Sequence, residues 1–127
     1  MSAKRLTSLD VRKVEDQERD WVLLAPFVVS VVLDGLEYLI RVPDGFITDF
    51  ASVPRIPLAF WLFGGVGDYG ACVHDYLYRN GLFTREVCDA IYKEILLHVD
   101  KTSEFRALAM HRGVRLGGAS SYKGVTA

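Results

Sequence analysis

Two apolar runs, Phe27 to Leu33 and Leu36 to Val42, are separated only by Asp34-Gly35. An Asp-Gly pair supplies the positive φ angles of a tight two-residue turn. Val28, Val29, Val31, Val32 and Ile40 are β-branched and suit strands. The stretch from Trp21 to Val42 therefore reads as a β-hairpin. Its second strand alternates, with Glu37 and Arg41 two residues either side of Leu39.

After Pro43 the punctuation changes. Pro54, Pro57 and a run of glycines leave no room for a long helix or strand before Gly67. GFITDFASVPR (45–55) and FWLFGGVGDYG (60–70) should form shaped loops, with a short helical turn at most over Pro57 to Leu62. From Asp68, a candidate N-cap, Tyr69, Cys72, Val73, Tyr76 and Leu77 recur at helical spacing, and Asn80-Gly81 supplies a stop. Thr84 caps a second helix whose buried face is Val87, Cys88, Ile91, Ile95 and Val99. A third starts near Ser103, with Phe105, Leu108 and Ala109 expected inward, and stops at Gly117-Gly118. The short link between the first two favours an antiparallel pair.

The expected fold is α+β. An N-terminal β-hairpin, a small antiparallel sheet that a third strand can extend, packs on an antiparallel helix pair and a third C-terminal helix. Residues 1–20 are a polar segment expected to be poorly ordered, 21–118 a single globular domain and 119–127 a flexible tail. A length of 127 residues suits one core rather than two.

Composition excludes several function classes. A net charge of −1 gives no basic excess for general nucleic-acid binding. Arg106, Arg112, Arg115 and Lys101 make the third helix modestly basic, which a solvated face explains. The first twenty residues lack the apolar core of a secretory signal, and no run is long enough for a transmembrane helix. The expected location is the cytoplasm of the producing cell. Cys72 and Cys88 have no CxxC spacing, so neither a zinc site nor a disulfide scaffold is expected. GxSxG is absent around Ser52, and Gly64, Gly65 and Gly67 form no phosphate-binding fingerprint.

The chemistry concentrates on the helix pair. His74 and Tyr78 are one turn apart on one face. Asp89, on the second helix, borders the buried face. Across an antiparallel pair it can reach both. A carboxylate bonded to one imidazole nitrogen fixes the tautomer and leaves the other nitrogen as a base for activating water. Asp75 points about 100° away from His74 and is free to hold a hard cation. Two plainer readings stand beside this one. Asp89 can pair with Arg85 or Lys93 as a helix-surface bridge, and His74, Tyr78 and Asp89 can form a structural polar network. Asp49 can cap backbone N–H groups or face the site. Arg55 can hold an acidic partner such as Asp49 or Asp75, or a substrate phosphate.

Two resemblances follow from these residues. GFITDFASVPR, then CVHDYLY, then TREVCDAIYKEIL resembles a phage- and prophage-encoded family of unknown function, over roughly Val31 to Gly117. AxxHDxxYRN followed by a Cys-Asp helix is similar to the catalytic helices of secreted phospholipase A2 and its bacterial, fungal and parvoviral relatives. That second resemblance implies His74 as general base, Asp89 as the aspartate behind it, Tyr78 as their support and Asp75 as a calcium ligand. Leu77 stands where animal enzymes have a cysteine, so their interhelix disulfide cannot form here. Thr48 to Val53, including Asp49, would have to supply the calcium loop.

The function implied is a phage accessory protein that hydrolyses an ester, such as a phospholipid, with calcium. The alternative is a non-catalytic virion, tail or assembly protein that contacts phage structural proteins. Accessibility separates them: an enzyme needs His74 on the floor of an open cleft, whereas a structural network is sealed under side chains.

Overall fold

The computed structural model describes residues 1–15, 20–49 and 67–123. Arg55, Ser52 and the expected helical turn over 57–62 lie outside them. Among the described residues the strands are β1 (Ser2–Arg5), β2 (Val11–Lys13), β3 (Trp21–Leu23), β4 (Phe27–Leu33), β5 (Leu36–Val42) and β6 (Ile47–Thr48). The helices are α1 (Asp68–Asn80), α2 (Arg85–His98) and α3 (Glu104–Gly117), followed by a 3-10 turn at Ala119–Ser121. The fold is α+β.

The central hairpin forms in the expected register, from Phe27↔Val42 to Leu33↔Leu36. Asp34 (φ 49°) and Gly35 (φ 81°) take the left-handed angles of the turn. The third strand is β1, antiparallel to β4 from Ser2↔Val32 to Arg5↔Val29. It comes from the segment expected to be poorly ordered. With exposed Lys4 and Arg5, β1 has the charged character of a protected sheet edge and is held mainly by backbone pairing, so hydropathy does not reveal it. Trp21–Leu23 also departs from expectation. It lies outside the hairpin, between β2 and β6 in a second small sheet.

One face of the hairpin is the main core. Phe27, Val29, Val31, Ile40 and Val42 pack with Cys72, Val73 and Leu77 of α1 and with Cys88, Ile91 and Ile95 of α2. Each such apolar side chain contributes about 1.5–3 kcal/mol by leaving water. Leu77 and Cys88, the positions where a disulfide is missing, are both fully buried here.

A smaller core joins α2 to α3 through Tyr92, Leu96, Ala107, Met110 and Val114. This corrects the expected phase of α3: Phe105 and Leu108 point out and are 76% and 45% exposed. Apolar residues recur at helical spacing on two faces of α3, so hydropathy alone does not choose between them. The face that is buried also brings Arg115 onto the carboxylate of Asp89.

Two ends differ as well. The cap of α1 is Gly67 (φ 85°) with no side-chain bond, and Asp68 is the first helical residue rather than the cap. Of the expected tail, residues 119–123 are described, and they are tied down. Tyr122 is buried, its hydroxyl donates to the Phe83 carbonyl, and Lys123 N–H donates to Tyr78 O at 2.9 Å. Thr84, Ser103 and Gly81 cap as expected. Among the described residues, no helix is long and apolar enough to cross a membrane.

Candidate functional site

Helices α1 and α2 run in opposite directions. Gly67 lies against Leu96, Gly70 against Tyr92, and His74 meets Asp89. The approach is close: a Cβ on Gly67 would fall 2.5 Å from a Leu96 methyl, and one on Gly70 3.1 Å from the Tyr92 ring.

At the middle of the pair, Asp89 Oδ1 lies 2.7 Å from His74 Nε2 and accepts from Tyr78 OH at 2.5 Å. Its other oxygen, Oδ2, accepts from Arg115 Nη1 at 2.7 Å. Arg85 completes the arrangement. Its Nε donates to Tyr78 OH at 3.2 Å, and its Nη2 donates to the carbonyls of Val114 and Arg115. The structure thus brings His74, Tyr78 and Asp89 together. Arg85, offered as an ion-pair partner of Asp89, goes instead to Tyr78 and the end of α3, and Arg115 takes the carboxylate.

The cluster is dry. Asp89 is fully buried and His74 is 4% exposed. The Tyr78 and Tyr92 rings lie 4.0 and 4.7 Å from the imidazole centroid. Burial pushes the His74 pKa below its ordinary 6.5, with Asp89 opposing and Arg85 adding to the fall. Burial alone would raise Asp89. Hydrogen bonds from His74, Tyr78 and Arg115 outweigh it and hold the carboxyl below its ordinary value. Burial and the bond to Asp89 raise Tyr78, which stays a phenol. A neutral imidazole beside an ionised Asp89 must donate through Nε2, so its basic lone pair is on Nδ1.

Asp75 lies on another side of α1. Its Oδ1 is 2.9 Å from Arg79 Nε, while its Oδ2 is buried with no hydrogen-bond partner among the described residues. Burial raises its pKa, Arg79 and a bond from Thr48 lower it, and the charge of Asp49 raises it further. The two carboxylates expected to serve a cation are therefore close enough to repel. Among the described residues, no group of three or more His, Cys, Asp or Glu side chains is placed to hold a metal.

The other candidates carry little chemistry. Burial pushes the thiols of Cys72 and Cys88 up to about 12, so neither is a thiolate at neutral pH. His98 pairs loosely with Glu94 at 3.6 Å.

Sequence reasoning did not place Arg115, Tyr92 or Asp100 at the site, and it offered Arg85 only as a helix-surface partner of Asp89. Asp100 takes the place expected of Asp68, accepting from Tyr69 N and Gly70 N at 3.0 and 2.8 Å. The position of Asp100 two residues beyond an antiparallel partner was the available signal. Arg115 gave none, since its reach depends on the phase of α3.

An α+β domain whose paired helices share a buried His-Asp-Tyr cluster, closed by an arginine from a third helix, is the class that this geometry defines. Within it, the chain belongs to a protein family of unknown function, DUF1353, whose family model matches residues 21–114. No curated protein and no solved structure matches the chain.

Proposed function

We propose that His74 and Asp89 form a hydrolytic site for an ester, of the kind seen in phospholipase A2, in a protein of phage or prophage origin. A phospholipid is the substrate class that the resemblance favours. The observation that carries the reading is that a single oxygen of Asp89 receives both His74 Nε2 and Tyr78 OH. That arrangement orients the ring and leaves Nδ1 as the base. Nδ1 takes a proton from water as the water oxygen attacks the ester carbonyl, and the ionised Asp89 stabilises the imidazolium. The imidazolium then returns the proton to the departing alkoxide, giving acid and alcohol.

Asp75 and Asp49 are the proposed calcium ligands. The unpartnered Asp75 oxygen and the repulsion from Asp49 fit a cation there, although the described residues supply only these two carboxylates, and Arg79 shares one. A bound cation would polarise the ester carbonyl. Arg55 is proposed for the substrate phosphate. Synthesis in the bacterial cytoplasm and association with a virion belong to the same proposal.

A second reading has its own support. By the accessibility criterion, burial of His74 and the grip of Arg115 on Asp89 favour a structural network in a non-catalytic virion or assembly protein, and the hydrolytic reading requires the side chains over His74 to part and admit water to Nδ1. One variant separates the two. Under the hydrolytic reading, His74→Ala lowers the rate in a sensitive esterase assay with calcium by at least about 100-fold, measured where circular dichroism shows the variant still folded, since loss of the buried ring costs stability under either reading. Under the structural reading the wild type has no calcium-dependent rate to lose, and the loss in urea unfolding is the variant's whole effect. Equal rates in wild type and variant sink the catalytic role.

A further inference from the structure

We propose that the outer face of α3 docks on an anionic lipid bilayer. Helix α3 has two apolar faces. Ala107, Met110 and Val114 are buried against α2. Phe105, Leu108, Ala109, Arg112 and Leu116 fall within about 100° of arc on the opposite side. Phe105 is 76% and Leu116 87% exposed, among the most exposed large apolar side chains described. The stripe runs for about 16 Å along the axis. Core packing does not account for these residues, because α3 already buries its other face.

Charge identifies the occupant. Lys101, Arg106 and Arg112 are exposed and make no ion pair among the described residues, against one exposed acid, Glu104, at the start of the helix. The chain as a whole carries a net charge of −1, so this positive charge is local. Aromatic and leucine side chains flanked by arginines are the composition of a helix lying in a membrane interface. Arg112 decides against a second copy of the chain. It sits within the stripe, and an antiparallel partner would bury two guanidinium groups among leucines at a large desolvation cost. Against a bilayer its stem can lie in the apolar layer while its head reaches the lipid phosphates. The inference does not rest on the hydrolytic reading, since docking requires no turnover.

The test is sedimentation of the full chain with vesicles of phosphatidylcholine, alone or mixed with phosphatidylglycerol, in chelator so that hydrolysis and calcium bridging play no part. The wild type should bind the mixed vesicles and release them at high salt. Phe105→Ser with Leu116→Ser should weaken binding at least about tenfold while leaving the melting temperature unchanged. Arg112→Glu should remove the preference for anionic vesicles. The proposal is overturned if the wild type binds neither vesicle or if the double variant binds as well as wild type. A concentration-dependent dimer that the double substitution dissolves would overturn it in favour of self-association.

Discussion

Two carboxylates tie α2 and its end to α1, and they are treated in opposite ways. Asp89 meets an imidazole, a phenol and a guanidinium, and its pKa is lowered. Among the described residues Asp100, just past the end of α2, accepts from the backbone N–H groups of Tyr69 and Gly70 and from no cation. Burial pushes Asp100 up to about 6, the two N–H bonds oppose the rise, and Asp68 nearby adds to it. Both are hydrogen-bonded, Asp89 fully buried and Asp100 half-buried. What separates them is a formal positive charge. Arg115 reaches Asp89, whereas the amide dipoles at the start of α1 do not hold Asp100 ionised to the same degree. The first carboxylate is a fixed charge, and the second titrates within a physiological range.

The largest test of this contrast is Asp89→Ala. It strands a buried imidazole and phenol and removes the partner of Arg115. Urea unfolding should show a loss of about 3–5 kcal/mol. A loss no larger than that of an ordinary surface change would mean that Asp89 is not the keystone drawn here.

Asp100→Ala should cost less, about 1–2 kcal/mol, because it removes a helix cap and leaves two N–H groups at an end that water can reach. Hydrogen exchange should quicken at Tyr69 and Gly70 and stay unchanged around Tyr78.

The smallest effects lie in the pH profile. His74 has a lowered pKa, so below about 6.5 the unfolded chain binds a proton that the folded chain refuses, and stability falls as pH drops. Asp89 acts in the same sense further down: its contribution is present above 3.8 and is lost as pH falls through its lowered value. Asp100 acts in the opposite sense. Its raised pKa means that its contribution is full below 3.8 and is lost as pH rises through about 6. Unfolding free energies from pH 4 to 8 should therefore lose their fall below 6.5 in His74→Gln, and lose the opposing trend in Asp100→Asn. Identical profiles in wild type and both variants would erase the distinction.

How much of this was legible depended on how local the signal was. The Asp34-Gly35 turn, the Thr84 cap and the Gly81 stop are set by residues within one or two positions, and each appears as read. The meeting of His74, Tyr78 and Asp89 needed only helical phase and an antiparallel link. Strand β1 was not legible because its partner lies far along the chain and its residues carry no apolar run. The phase of α3 was misread because both its faces are apolar. That one rotation hid both the stripe from Phe105 to Leu116 and the ion pair of Arg115. The Asp100 cap was missed because Asp68 offered a nearer candidate of the same chemistry.

The bond from Arg115 to Asp89 also has a bearing on biosynthesis. The ribosome releases Asp89 well before it releases Arg115, so a nascent α1–α2 pair must carry its central negative charge with no cation to meet it. Closing that seam before α3 emerges leaves the buried carboxylate without its arginine, which is electrostatically disfavoured. A nascent α1–α2 pair therefore gains the arginine of its central carboxylate only once α3 has also emerged.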